Sequence, residues 1–166
     1  GIAIRAGLLK QDDPDELPLT QERGMLRMSM GFAWEWLVAH QNPQMVHQPG
    51  EIVRGGIAMN PDGVTWMRDI VLPAEVEARG ARGLLVEESK CTWLSARRDL
   101  RYKWIWMAQA QAYCRAVGTQ WVRFHVCYVN GDYRGSGPIY MVFWVQFTQQ
   151  ELDTTWALIR RNAGAQ

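Results

Sequence analysis

Residues 121–129 read WVRFHVCYV, and this alternation constrains the fold more than any other stretch of the chain. Successive side chains of a strand point to opposite faces, so Val122, Phe124, Val126 and Tyr128 share one side while the other side takes the rest. Asn130-Gly131 begins a turn, and residues 139–147 form a second hydrophobic strand suited to be its antiparallel partner. Helices are available to cover such a sheet. Thr20 and Glu22 suit the start of a helix reaching about His40, with Met25, Met28, Phe32, Trp36 and Leu37 at three- and four-residue steps as its apolar stripe. Gly24 and Gly31 weaken that helix unless another backbone or a ligand approaches closely there. Residues 103–117 have the length and composition of a second helix, stopped by Gly118. Thr148-Gln149-Gln150-Glu151 is a capping box that opens a third, ending near Asn162 with Gly164 just beyond.

The middle of the chain supplies further strands. Residues 51–59 suit a strand broken at Asn60-Pro61-Asp62-Gly63, a strong turn signal. Residues 64–83 read as a hairpin excursion with loops and a short helical turn near 74–78, before Leu84-Leu85-Val86 leads a buried strand into Glu87-Glu88-Ser89-Lys90. The order is helix, strands, helix, strand, strand, helix, which predicts an α/β fold: one central mixed β-sheet flanked by α-helices. At 166 residues the chain suits one domain, here residues 20–166, preceded by a lead-in at 1–19 that holds the acidic stretch Asp12-Asp13-Pro14-Asp15-Glu16.

Composition narrows the classes. Hydrophobic residues at 48% and charged residues at 21% mark a globular chain rather than a disordered one. No apolar run approaches the ~20 residues of a membrane span, and the N-terminus lacks a signal-peptide pattern, so the expectation is a cytoplasmic protein without a membrane partner. Cys91, Cys114 and Cys127 are too scattered for a disulfide framework or a metal-binding CxxC pair. His40, His47 and His125 are too far apart for a zinc site, and neither a Walker loop nor a GxSxG elbow is present.

Glu88 and Lys90, two apart on a strand, point to the same face. A carboxylate beside an ammonium can hold a hard divalent cation such as Mg²⁺, which prefers oxygen ligands, and the backbone carbonyl of Ser89 offers another such oxygen. Asp62 on its turn supplies a second carboxylate. Taken singly, each has an ordinary alternative: Glu-x-Lys is a surface salt bridge on many strands, and Asp62 is a good turn residue. Glu35 between two tryptophans reads equally as a partly exposed helix residue. Gln109 and Tyr113 stand on one helix face, which is also the polar edge of an amphipathic helix.

Together, Gly31-Phe32-Ala33-Trp34-Glu35, then Asn60-Pro61-Asp62-Gly63-Val64, then Leu85-Val86-Glu87-Glu88-Ser89-Lys90-Cys91, then Gln109-Ala110-Gln111-Ala112-Tyr113 resemble the ordered motifs of the PD-(D/E)XK nucleases. The likeness is to the YqaJ, lambda-exonuclease and RecB-like members. It implies a restriction-endonuclease-like fold and a deoxyribonuclease that uses Mg²⁺ or Mn²⁺. Asp62 and Glu88 would hold metal, helped by Glu35 and Ser89; Lys90 would position or activate water, and Gln109 with Tyr113 would shape the site. Two departures stand out. Ser89 occupies a position usually apolar in the family, and the interval from Asp62 to Glu88 is long, implying an enlarged hairpin. Some relatives carry a four-cysteine iron–sulfur cluster, which three scattered cysteines cannot supply.

The resemblance favours an exonuclease of the phage recombination and repair type, which would act in the host cytoplasm if phage-encoded. A structure-specific or restriction-type endonuclease, or a non-catalytic DNA-binding protein keeping the fold, are the alternatives. Relatives that encircle DNA as rings imply a homo-oligomer or a recombination partner protein. DNA as partner also agrees with the basic stretch Arg97, Arg98, Arg101 and Lys103, interleaved with aromatic residues, and with Arg134 in the following glycine-rich loop.

Overall fold

The structure, a computed structural model, describes residues 21–135 and 137–164, with side chains from residue 24 onward. The lead-in and the Thr20 cap lie outside the described residues. Helix α1 (Gln21–Gln41) is followed by β1 (Val46–His47), β2 (Ile52–Arg54), β3 (Ile57–Met59) and β4 (Gly63–Trp66). A short helix α2 (Ala74–Glu77), the long strand β5 (Leu84–Thr92), α3 (Trp104–Val117), β6 (Trp121–Tyr128), β7 (Ile139–Gln146) and α4 (Gln149–Asn162) complete the order.

Five strands form one mixed, mostly antiparallel sheet in the order β1-β4-β5-β6-β7. Only β5 and β6 run parallel, and α3 makes the crossover between them. The helices therefore cover a sheet whose centre is β5, the strand that carries Glu88 and Lys90. On one face Val86, Val122, Phe124, Val126 and Tyr128 pack with Ala110 and Cys114 of α3 and Leu152 of α4. This is the alternation expected of residues 121–129, and the antiparallel pairing of β6 with β7 was expected too. Gly118, with φ of +84°, ends α3 in the left-handed region that a side chain resists. The Thr148–Glu151 capping box opens α4 with both reciprocal bonds formed.

Two expectations are overturned. Residues 51–59 are not one strand but a separate two-stranded hairpin, in which Ile52 pairs with Met59 and Arg54 with Ile57. Gly55 and Gly56 both take positive φ, +54° and +76°, the pair of left-handed residues that a two-residue turn matching strand twist requires. The hairpin then buries Ile57 and Met59 against Ala112, Trp156 and Ile159. The stripe chosen for α1 is likewise not its buried face: Met25, Met28, Phe32, Trp36 and Leu37 are all exposed, Phe32 at 63%. The helix instead turns Val38 inward and lies against β5. Trp34 anchors it, its indole N–H donating to the His125 carbonyl at 2.9 Å and its ring meeting Tyr140 edge-on. Among the described residues no helix is long and apolar enough to cross a membrane.

Candidate active site

The strand β5 extends through Thr92, further than the apolar run alone suggested, and Glu88 sits within it at 0% exposure rather than at its emergence. Glu88 and Lys90 point to the α3 side, as their spacing requires. The Lys90 ammonium donates to Glu88 Oε1 and, at 3.1 Å, to Gln109 Oε1. Gln109 in turn donates from Nε2 to the Tyr113 hydroxyl at 2.9 Å. The i, i+4 pair of α3 and the i, i+2 pair of β5 are thus joined in one chain of hydrogen bonds through the lysine.

Asp62 joins them from the neighbouring strand. It directly precedes β4, whose Gly63 pairs with Glu87, and its Oδ2 accepts from the Ser89 N–H at 2.8 Å. A Cβ at Gly63 would stand 2.1 Å from Met45 Cε, so any side chain here would have to displace that methionine. The long interval to Glu88 is spent on the excursion through α2 and still returns as a β4–β5 antiparallel pair. Glu35 comes from α1. Its Oε1 accepts from His47 Nε2 and Gln48 Nε2, each at 3.0 Å, and its charge acts on Asp62 and Glu88.

His47 and Gln48 are the residues the sequence did not offer. His47 lies on the two-residue strand β1, opposite Gly63, and the Gln48 N–H donates to the Asp62 carbonyl at 2.9 Å. Two residues carry no periodicity, and His47 is remote in sequence from every motif, so no signal singled it out.

The electrostatics are those of a site short of positive charge. Burial pushes the Glu88 carboxyl up to about 7; Lys90 opposes this, while Asp62 and Glu35 add to it. Asp62 is also raised, chiefly by burial, with Lys90 and the Ser89 N–H opposing. Burial alone would lower Lys90, but Glu88, Asp62 and Glu35 hold it above its ordinary value and therefore charged. Tyr113 is raised by burial and by Glu88, so it keeps its proton. Among the described residues, Glu88 Oε2 and Ser89 Oγ are buried without a hydrogen-bond partner. An orphaned carboxylate oxygen beside a second carboxylate fits a cation that takes oxygen ligands. Among the described residues, no three His, Cys, Asp or Glu side chains are grouped so that they could hold a metal ion.

The sheet's other face is charged as well. Glu87, next to Glu88 and equally buried, accepts from Arg123 Nε and Nη2 at 2.9 and 2.7 Å and pairs with His125 Nε2 at 3.0 Å. His125 Nδ1 meets the Tyr140 hydroxyl at 2.7 Å, and Arg123 lies over the Trp144 ring. Burial would raise Glu87, but the His125 and Arg123 hydrogen bonds outweigh it and hold the carboxyl below its ordinary value.

The basic residues assigned to DNA gather beyond the C-terminal end of β5, and ion pairs engage Arg97 and Arg101 there. Arg97 faces Asp132 at 3.4 Å and Arg101 faces Asp99 at 2.9 Å. Arg98 and Arg134 are exposed, and Lys103 stands at the N-cap position of α3. Among the described residues, Gly31 meets no atom within 4 Å of an added Cβ, so no described element demands its smallness.

No protein-family model matches the chain, and no curated protein matches it. A solved structure, "Crystal structure of SSO0001", is similar at a TM-score of 0.47 and 14% identity, over 85% of this chain and 57% of that one. The chain spans somewhat more than half the length of that neighbour.

Proposed function

We propose that the chain is a restriction-endonuclease-like enzyme that hydrolyses DNA phosphodiester bonds with a bound Mg²⁺ or Mn²⁺, as an exonuclease of recombination or repair. The observation that carries this reading is the Glu88 carboxylate: fully buried, one oxygen on Lys90, the other without a partner, and Asp62 beside it. A protein that only needed a stable strand would fill this position with an apolar residue, since a buried carboxylate lacking full compensation is destabilising.

Asp62 and Glu88 would hold the cation, with the Ser89 carbonyl as a further oxygen and Glu35 behind them. When bound, the ion supplies positive charge that polarises a phosphoryl oxygen and eases ionisation of water. Lys90 remains charged and has a third N–H beyond its bonds to Glu88 and Gln109, which is free to orient a water or steady a phosphate oxygen. Gln109 fixes the ammonium, and because it donates to the Tyr113 oxygen, it leaves the phenolic proton available for a substrate oxygen. Hydrolysis then joins a water oxygen to phosphorus, breaks the P–O ester bond, and returns a proton to the leaving oxygen.

Purified protein incubated with linear, nicked and covalently closed circular DNA, with and without Mg²⁺, tests this. Metal-dependent loss of the linear form with the closed circle intact is the expected result; cleavage of the circle makes it an endonuclease. Lys90→Ala and Glu88→Ala should each lower the rate by at least about a hundredfold with the fold retained. Undiminished digestion by either variant removes the assignment.

A further inference from the structure

Because β5 and β6 run parallel, they deliver their following loops to the same edge of the sheet, and α3 begins there too. That edge is unusually aromatic and open. Tyr102, just before α3, is 84% exposed; Tyr133, in the loop after β6, is 62% exposed; Trp104 and Ile105 open α3 at 40% and 41%. Trp93 follows β5 directly. The two loops are tied together: Tyr133 donates its hydroxyl proton to the Trp93 carbonyl, the Ala96 N–H donates to the Gly131 carbonyl at 2.9 Å, and Arg97 pairs with Asp132. Tyr133 holds φ at +64°, a backbone state unfavourable for a tyrosine, which the loop contacts maintain.

Position relative to the catalytic centre gives this edge its meaning. Ile105, Gln109 and Tyr113 follow one another at four-residue steps on α3, so Ile105 continues the face that holds the site, about 6 Å further along the axis. Trp93 lies three residues past Lys90, and its ring already meets the Arg27 guanidinium of α1 at 5.3 Å, so the open rings are those beside α3 and in the loop after β6. The α3 step is about one nucleotide of an extended strand beyond the reacting phosphate. Arginines and lysine in the same loop, Arg97, Arg98, Arg101 and Lys103, place cationic groups among the rings. A duplex shows only base edges in its grooves, whereas an unpaired base offers a face on which a ring can stack.

We propose that this edge is a stacking platform for unpaired nucleobases, with Tyr102 its most open ring, so that the substrate is single-stranded DNA or a frayed end. The proposal rests on the nuclease reading for its placement of the reacting phosphate. Its test reads binding separately from cleavage. Fluorescence anisotropy with a labelled thymidine octanucleotide and a labelled octamer of abasic sites, both in Ca²⁺, compares wild type, Tyr102→Ala and Tyr102→Phe, with thermal melts confirming that the variants fold. Wild type should prefer the thymidine strand by about tenfold or more; Tyr102→Ala should lose about that factor on it and nothing on the abasic strand, and Tyr102→Phe should keep the preference. Equal affinity for the two probes, an equal loss on both, or tighter binding of a blunt duplex overturns the platform. If the stacking pattern holds while no cleavage occurs in Mg²⁺, the nuclease reading fails and the platform stands; cleavage without the pattern is the reverse.

Discussion

On the proposed reading, a carboxyl that titrates at about 7 would make metal binding a proton exchange, and the amount follows from Glu88. With its carboxyl at about 7, the metal-free protein carries about half a proton there at pH 7, about nine-tenths at pH 6 and about a tenth at pH 8. A cation on Glu88 needs the ionised form, so each ion bound expels those fractions, and Asp62, also raised, can only add to them. Between pH 8 and pH 6 the apparent Mg²⁺ affinity should fall by about tenfold, about 1.4 kcal/mol. Lys90 does not blur the result, because it is held charged throughout this range. Isothermal titration in two buffers of different ionisation enthalpy counts the protons directly. The metal-free stability should carry the same signature. Glu88 rises from its ordinary 4.5 to about 7 on folding, so between those values the folded chain holds the extra proton. Raising the pH through this window therefore favours unfolding, by up to about 3 kcal/mol at pH 8, and saturating Mg²⁺ should flatten the slope. No proton release at pH 6, or an affinity unchanged from pH 6 to 8, would refute the reasoning.

Replacing Gly31 by alanine should stabilise α1 by about 0.5–1 kcal/mol, since the position is mid-helix and open; thermal melting checks it. If nucleic acid approaches that glycine, the same variant will lose activity while gaining stability. Arg123→Met should destabilise by about 3–5 kcal/mol in urea melts, because it strands Glu87 in the interior. Glu87 titrates below its ordinary 4.5, so its contribution is complete above that pH and is lost as the pH falls through the lowered value; acid unfolding of wild type should include this loss and that of Glu87→Gln should not. Phe124→Ala empties a fully buried site between sheet and helices and should cost about 3–5 kcal/mol, measured the same way.

Where one physical rule governs a segment, the sequence was readable. The alternation at 121–129, the Gly118 stop and the Thr148–Glu151 box each reflect a local requirement, and each appears as expected. The α1 stripe failed because spacing reveals an apolar face but not whether anything covers it; what settles α1 is the Trp34 bond to a carbonyl 91 residues away. The hairpin at 52–59 failed for a different reason: two adjacent glycines fold a strand back on itself as readily as they lie in it. In the candidate site, Asp62, Glu88, Lys90, Gln109 and Tyr113 are joined as their order suggested. The ion pairs of Arg97 and Arg101 depend on Asp132 and on a side chain orientation at Asp99, which spacing does not encode.

Glu87 and Glu88 make the argument of the site in miniature. They are adjacent, on one strand, and each is 0% exposed, so burial treats them alike. Pleating sends them to opposite faces, and there they part. Glu87 meets a guanidinium in bidentate contact and an imidazole, which leave its carboxyl more acidic than in water. Glu88 meets one ammonium, which Gln109 shares, and two further carboxylates, which leave it less acidic than in water and with an oxygen unpartnered. A sequence able to compensate one buried glutamate fully has the means to compensate its neighbour. On the proposed reading, the positive charge that Glu88 lacks would come from a bound cation.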